Sequence, residues 1–230
     1  MKILDVVQGT GDWLTARAGI VTASELDSLV SPLWAIRKGQ GVESYLHRKL
    51  AERWLGGPLP NTYQGGAMEQ GHLKEEEAIP WYELTSGHVV TPVGFITTDD
   101  GRAGCSPDGW IAAEKRGIEI KSPDYPAHIG YLLANVVPPD YRAQVQGSMY
   151  VTGADSWIFM SYQRGLPKLV LEVERDEEAQ EALAAAIDGF NERLDVAWER
   201  LVALSGGPPK RAAKPEPTPP TPEDDGYIGF

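Results

Sequence analysis

The 230 residues read as one α/β domain, with a central mixed β-sheet flanked by helices, followed by a flexible tail. Three observations lead there. Segments of helical spacing and segments of strand character follow one another as helices, strands, helix, strands, helix, the order of a sheet covered by helices. A chain of this length buries a core without disulfides or a structural metal, and its single cysteine, Cys105, excludes an intramolecular disulfide framework and any four-cysteine zinc or iron–sulfur site. From Gly206 the composition turns Pro-rich and polar, so the domain is expected over 1–205 and the tail over 206–230.

Asp12 to Arg17 reads as a short amphipathic helix broken by Gly19. Thr22-Ala23-Ser24-Glu25 fits a capping box, with a helix from there to about Val30, where Ser31-Pro32 stops it. Glu43 to Leu55 carries Tyr45, Leu46, Leu50 and Trp54 at helical spacing and ends at Gly56-Gly57-Pro58. A third helix is expected from about Ala67 to Leu84, bent at Pro80. Val89 to Thr97 alternates weakly, as one or two strands. Gly104 to Ala112 and Gly117 to Ser122 read as a strand pair, Pro139 to Thr152 as a helix, and Ser156 to Tyr162 with Leu166 to Val173 as a second strand pair. Asp176 to Leu204 is a long terminal helix.

The net charge of −12 argues against a protein that coats nucleic acid by bulk charge, but it leaves room for a local basic groove. Residues 1–60 hold seven Lys or Arg against six Asp or Glu, whereas 61–120 hold four against ten and 170–200 three against ten. The polyanion face is therefore expected in the first quarter, and the acidic middle suits a hard cation. No run of about 18 apolar residues is present, and the first residues lack the apolar stretch of a signal peptide. The cytoplasm is the expected compartment, with no membrane partner.

Chemistry concentrates in two short segments. Ser106-Pro107-Asp108-Gly109 is followed by Gly117-Ile118-Glu119-Ile120-Lys121. On a strand, Glu119 and Lys121 share one face while Ile118 and Ile120 share the other. A hairpin-like return brings Asp108 beside Glu119, so that two carboxylates and an ammonium surround one point. Such carboxylates suit Mg²⁺ or Mn²⁺, with the carbonyl of Ile120 as a further oxygen donor. Lys121 beside them would orient or deprotonate an attacking water, the layout of metal-assisted phosphodiester hydrolysis. The same residues also fit blander roles, since Pro-Asp-Gly is a common turn and Glu-x-Lys a common solvated strand edge.

The surrounding sequence separates these readings. In order along the chain stand Gln8-Gly9-x-x-x-Trp13, then Arg17-x-Gly19-x-x-Thr22-Ala23-Ser24-Glu25, then Gly71 with Glu75, and Glu83-x-Thr85-Ser86-Gly87. Cys105-Ser106-Pro107-Asp108-Gly109, Gly117-x-Glu119-x-Lys121 and Ala143-Gln144-Val145-Gln146 complete the series. From Gln8 to about Thr152 the chain resembles the lambda-exonuclease, or YqaJ-type viral recombinase, family of the PD-(D/E)xK nucleases. The resemblance implies a restriction-endonuclease-like core. It implies Asp108 and Glu119 as metal carboxylates, Ile120 as the carbonyl ligand and Lys121 as the catalytic lysine. Glu75 matches a helical glutamate of the acidic cluster, and Gln144 a glutamine on a helix over the site. Arg17, Ser24 and Ser106 match a pocket for the 5′-phosphate of a DNA end. The pocket also makes sense physically, because Ser24 lies in the first turn of an expected helix and an Arg fork suits phosphate oxygens. A further basic residue of that pocket is expected at Arg37 or Lys38, and a further acidic residue at Asp99 or Asp100.

The resemblance implies a Mg²⁺-dependent exonuclease that digests double-stranded DNA from its ends, 5′→3′, leaving 3′ single strands for phage-type homologous recombination. It implies a homotrimeric ring around DNA, and a single-strand annealing protein or a host repair factor is the partner expected for a docking tip at the chain end. The alternatives are a structure-specific or restriction-like endonuclease, and a DNA-end-binding recruitment module without strong catalysis. The chain ends in acidic residues followed by Tyr227, Ile228 and Phe230, a pattern that suits either a solubilising tail or an acidic–hydrophobic docking tip.

Overall fold

The structure, a computed structural model, describes residues 1–60 and 77–206. Its strands fall into two four-stranded sheets, both mixed, with helices packed around them. In the first, β1 (Lys2–Leu4) pairs antiparallel with β3 (Phe95–Thr97), β3 pairs antiparallel with β4 (Ala103–Cys105), and β4 runs parallel to β2 (Val21–Thr22). In the second, β5 (Gly109–Ile111), β6 (Arg116–Lys121), β7 (Ser156–Ser161) and β8 (Leu169–Glu174) lie in chain order. β6 and β7 are parallel, and a parallel pair needs a long crossover. That crossover carries α4 (Tyr125–Ala134) and α5 (Pro139–Thr152).

The remaining helices are α1 (Gly11–Arg17), a 3₁₀ helix (Ala23–Ser28), α2 (Gln40–Leu55), α3 (77–86) and the long α6 (Glu177–Ser205). One core cluster joins β7 residues Trp157 and Phe159 to Leu26, Met149, Leu183 and Leu194. A second packs Ile118 and Ile120 of β6 against Ile158, Met160 and Tyr82. The alternation of β6 therefore turns both isoleucines into this core and Glu119 to the other face.

Several expectations are revised. The expected strand Gly104 to Ala112 is broken at Ser106-Pro107-Asp108, and its halves, β4 and β5, join different sheets. Pro107 supplies no ladder donor and constrains Ser106, so the chain leaves one sheet there and enters the other. Of Val89 to Thr97 only 95–97 forms a strand, and Thr91 makes an isolated bridge to Trp110. The capping-box helix is a 3₁₀ turn with no side-chain cap: Thr22 instead donates its hydroxyl to Glu25 at 2.7 Å. α2 starts at Gln40, three residues earlier than the apolar spacing suggests, and stops at Gly56, whose φ of 69° is left-handed.

β1 and α4 were not anticipated. The signals for α4 are Asp124, whose carboxylate caps Ala127, Pro126 in the first turn and the left-handed Asn135 at the end. Of the expected helix from Ala67 to Leu84, the first part and Glu75 lie outside the described residues, and the described part runs through Pro80 to residue 86. Of the tail, 207–230 lies outside them as well. Among the described residues no helix is long and apolar enough to cross a membrane.

Candidate active site

The break between β4 and β5 sets the geometry of the site. Asp108 follows the break, and its amide donates to the carbonyl of Ile118 at 3.0 Å, extending the β5–β6 ladder by one bond. Its carboxylate oxygen Oδ2 accepts the amide hydrogen of Ile120 at 2.5 Å. The neighbouring Lys121 carbonyl accepts from Tyr162 just past β7, so the peptide groups of Ile120 face the opposite edge, toward Asp108. The Ile120 carbonyl is thus on the Asp108 side.

Glu119, only 2% exposed, has its Oε1 held by Lys121 Nζ at 2.5 Å and by the Gln144 amide at 2.6 Å. Burial opposes the charge on Lys121, but Glu119 and Asp108 outweigh it and raise its pKa above the ordinary lysine value. The Lys121 ammonium also lies 5.1 Å from the Tyr141 ring.

The arginine and serines stand on the other wall. Thr10 caps α1 through the Trp13 amide, and Arg17 ends the helix. Trp13 is buried, and its indole donates to Ser106 Oγ at 2.8 Å and to the Gly94 carbonyl at 3.1 Å. The Arg17 guanidinium stacks on the Trp13 ring, 4.3 Å from its centroid, and donates to Ser24 Oγ at 3.1 Å. Desolvation lowers the Arg17 pKa, with Glu25 and Glu52 pulling the other way. Gln8 donates its amide to the carbonyls of Val93 (2.8 Å) and Pro107 (2.7 Å), which pins the turn carrying Asp108.

These residues share a cavity of about 280 Å³, lined among others by Arg17, Ser24, Ser106, Asp108, Glu119, Lys121 and Gln144. Leaving aside Arg37, Lys38, Asp99 and Asp100, every expected site residue that the structure describes is therefore in it except Ile120, whose side chain packs in the core and whose peptide contacts Asp108. Of the two α5 glutamines, Gln144 faces the site and Gln146 faces away. The Asp108 and Glu119 carboxylates that line it are hard oxygen donors of the kind Mg²⁺ and Mn²⁺ take. Among the described residues, no group of three or more His, Cys, Asp or Glu gathers as a metal site.

Arg37 and Lys38 line a different cavity, with Asp27 and Ser28, and Arg37 donates to the Val30 carbonyl at 3.0 Å. Neither joins Arg17 and Ser24. Asp99 pairs with the N-terminal ammonium at 2.8 Å, and Asp100 accepts from Thr98 and Arg102 in the β3–β4 turn. Both serve that turn and the N-terminus, and neither lines the cavity. Cys105 is a buried core residue whose thiol pKa is pushed up by burial and by Glu119. Trp13, Gln8 and Thr22 are site residues that the sequence placed only in motifs; the signal for the first two was their fixed spacing in Gln8-Gly9-x-x-x-Trp13.

The YqaJ-like viral recombinase domain family matches residues 12–155, more than half of the chain. The chain belongs to that family. The matched stretch of this YqaJ-like domain runs from α1 to just past α5 and holds every cavity residue named above except Gln8. An alkaline exonuclease from Laribacter hongkongensis is similar in structure, with a TM-score of 0.74, 28% identity, and coverage of 86% of this chain and 98% of that one. The same enzyme in complex with dAMP gives a TM-score of 0.75 at 28% identity, with the same coverage. A phage-related exonuclease from Haemophilus somnus 129PT shares the fold at 15% identity, with a TM-score of 0.60 over 79% of this chain and 96% of that one. No curated protein sequence matches the chain.

Proposed function

We propose that this YqaJ-like domain is a metal-dependent exonuclease that removes nucleotides from the 5′-phosphorylated ends of double-stranded DNA. One observation carries the reading: Arg17, Ser24 and Ser106 open on the same cavity as Asp108, Glu119, Lys121 and Gln144. An anion-binding wall next to a carboxylate pair suits a substrate with a terminal phosphate and a phosphodiester one nucleotide further in. The exonuclease relatives named above point to the same class.

Asp108, Glu119 and the Ile120 carbonyl would hold Mg²⁺, or Mn²⁺ in its place. Such a cation, when bound, supplies Lewis-acid charge to a phosphate and acidifies water. The chain's own residues do the rest. The Arg17 fork and the Ser24 and Ser106 hydroxyls take the terminal phosphate. Trp13 holds Ser106 and Arg17 at set positions through its indole N–H and its ring face. Gln144 holds the Glu119 carboxylate in place, and the Lys121 ammonium orients the attacking water. A homotrimeric ring, a 5′→3′ direction that leaves 3′ strands for recombination, and an annealing partner complete the proposal.

Digestion of linear duplex labelled at one end, with and without a 5′-phosphate, in Mg²⁺ and in chelator, tests it. The expected result is Mg²⁺-dependent release of mononucleotides from the 5′ end, faster with the phosphate. Cleavage of covalently closed circles at a similar rate would replace the exonuclease by an endonuclease.

A further inference from the structure

The segment from Arg17 to Glu25 is tied to α2 at two points. At one, the Gly19 amide donates to Glu52 Oε2 at 2.9 Å. Gly19 has a φ of 74°, and a Cβ there would stand 2.9 Å from Arg53 Cβ, so the loop lies directly against α2. At the other, Glu25 accepts from Lys49 at 2.8 Å, Arg48 at 2.9 Å and the Thr22 hydroxyl at 2.7 Å. One side chain serves both ties: Lys49, only 3% exposed, also pairs with Glu52 at 3.0 Å. Arg17, Glu25, Arg48, Lys49 and Glu52 line one small cavity that adjoins the active-site cavity through Arg17 and Trp13.

The charges in this cluster decide what Arg17 can do. Two carboxylates, Glu25 and Glu52, face three cations, Lys49, Arg48 and Arg17, which leaves a net charge of one plus. Buried carboxylates must be paired. Glu25 and Glu52 both attract Arg17, yet Arg17 bonds neither; its partners are Ser24 and the Trp13 ring. Lys49 is the group that occupies both carboxylates.

We propose that Lys49 is a positioning residue for the 5′-phosphate pocket: by holding Glu25 and Glu52, it keeps the Arg17 guanidinium turned to Ser24 and available to phosphate. This rests on the phosphate-pocket reading above. Without the Lys49 charge, Arg17 is the cation that shares the cavity with the two carboxylates and is drawn into it, away from the terminal phosphate.

The test compares Lys49→Met, Lys49→Arg and the charge-balanced Glu25→Gln/Lys49→Met with the wild-type protein. The readout is the ratio of digestion rates on 5′-phosphate and 5′-hydroxyl duplex ends, with thermal melting to report folding. Lys49→Met is expected to lower that ratio about tenfold, the scale of one lost hydrogen bond to a charged group. The balanced pair restores the net charge of the cluster and is expected to recover most of the ratio, and Lys49→Arg to keep it. A merely structural role would make the double variant no better than the single one, and that result overturns the proposal. So does a folded Lys49→Met with an unchanged ratio. If Lys49→Met does not fold, the balanced pair decides: a folded double variant with the wild-type ratio supports the proposal, and one with the ratio lost overturns it. A wild-type protein that digests both ends equally overturns the phosphate-pocket reading and this proposal with it, whereas a wild-type preference that survives in Lys49→Met overturns this proposal alone.

Discussion

The carboxylate of Asp108 accepts the backbone amide of Ile120 at 2.5 Å, so the acidic residue beyond the strand break is oriented by the strand that carries Glu119 and Lys121. Two residues twelve apart in the chain are thereby held in one site, and the contact needs no side-chain partner on β6.

Replacing either carboxylate removes an anionic oxygen from a hard-cation site. Asp108→Ala and Glu119→Ala are each expected to lower the digestion rate by about a hundredfold or more, since metal-assisted charge stabilisation is worth several kcal/mol. Lys121→Ala is expected to lower the rate comparably while leaving Mn²⁺ binding, measured by calorimetry, within a few-fold of wild type. Full activity of any of the three in Mg²⁺ removes the assignment.

Gln144 and Gln146 separate activity from stability. Gln144 contacts Glu119 in the cavity. Gln146 is buried and joins the Glu174 carbonyl, the Asp176 amide and the Gln180 side chain, tying α5 to the start of α6. Gln144→Ala is expected to slow digestion with little change in melting temperature. Gln146→Ala is expected to cost about 1–3 kcal/mol by leaving buried partners unpaired, as read by denaturant unfolding. The reverse pattern would exchange their roles.

Arg17→Ala is expected to slow digestion of 5′-phosphorylated ends about tenfold or more relative to 5′-hydroxyl ends, the scale of a charge-assisted contact. Equal loss on both substrates makes Arg17 a general structural contact.

The Glu25 cluster predicts a pH dependence of stability. Burial raises the Glu25 pKa, but Lys49, Arg48 and the Thr22 hydroxyl together bring it below the ordinary glutamate value of 4.5. A depressed carboxylate stabilises the fold above its unfolded pKa, and that contribution fades as pH falls through the folded value. Wild-type melting temperature is therefore expected to drop more steeply below pH 4.5 than that of Glu25→Gln. Parallel acid limbs in the two proteins would show that this cluster contributes no such stability.

Much of this molecule was determined by local sequence. α5 over Pro139–Thr152 and α6, one residue off the expected Asp176–Leu204 at each end, follow from spacing, from proline at the start of α5 and the Asp176 cap of α6, and from glycine at the end of each. The alternation of Ile118, Glu119, Ile120 and Lys121 fixes which side chains enter the core, because a strand has only two faces. The choice of Gln144 over Gln146 came from the motif and agrees with the helix geometry, since neighbours two apart on a helix point different ways.

Tertiary structure decided the rest. Whether 104–112 is one strand or two depends on which sheet each half can join: β4 joins β3 and, from far away in sequence, Val21 of β2, whereas β5 joins β6. The three-residue strand β1 has too little pattern to read alone and exists because β3 offers it an edge. Arg37, Lys38, Asp99 and Asp100 have the right chemistry for the site but stand elsewhere: Arg37 and Lys38 line a different cavity, Asp99 pairs with the N-terminal ammonium, and Asp100 accepts from Thr98 and Arg102. Lys49 could be read from sequence only as one charge on a helix. Its burial arises from packing α2, which carries Glu52 three residues on, against the Arg17–Glu25 segment, which brings in Glu25 from 24 residues away in the chain, a pairing that no local pattern encodes.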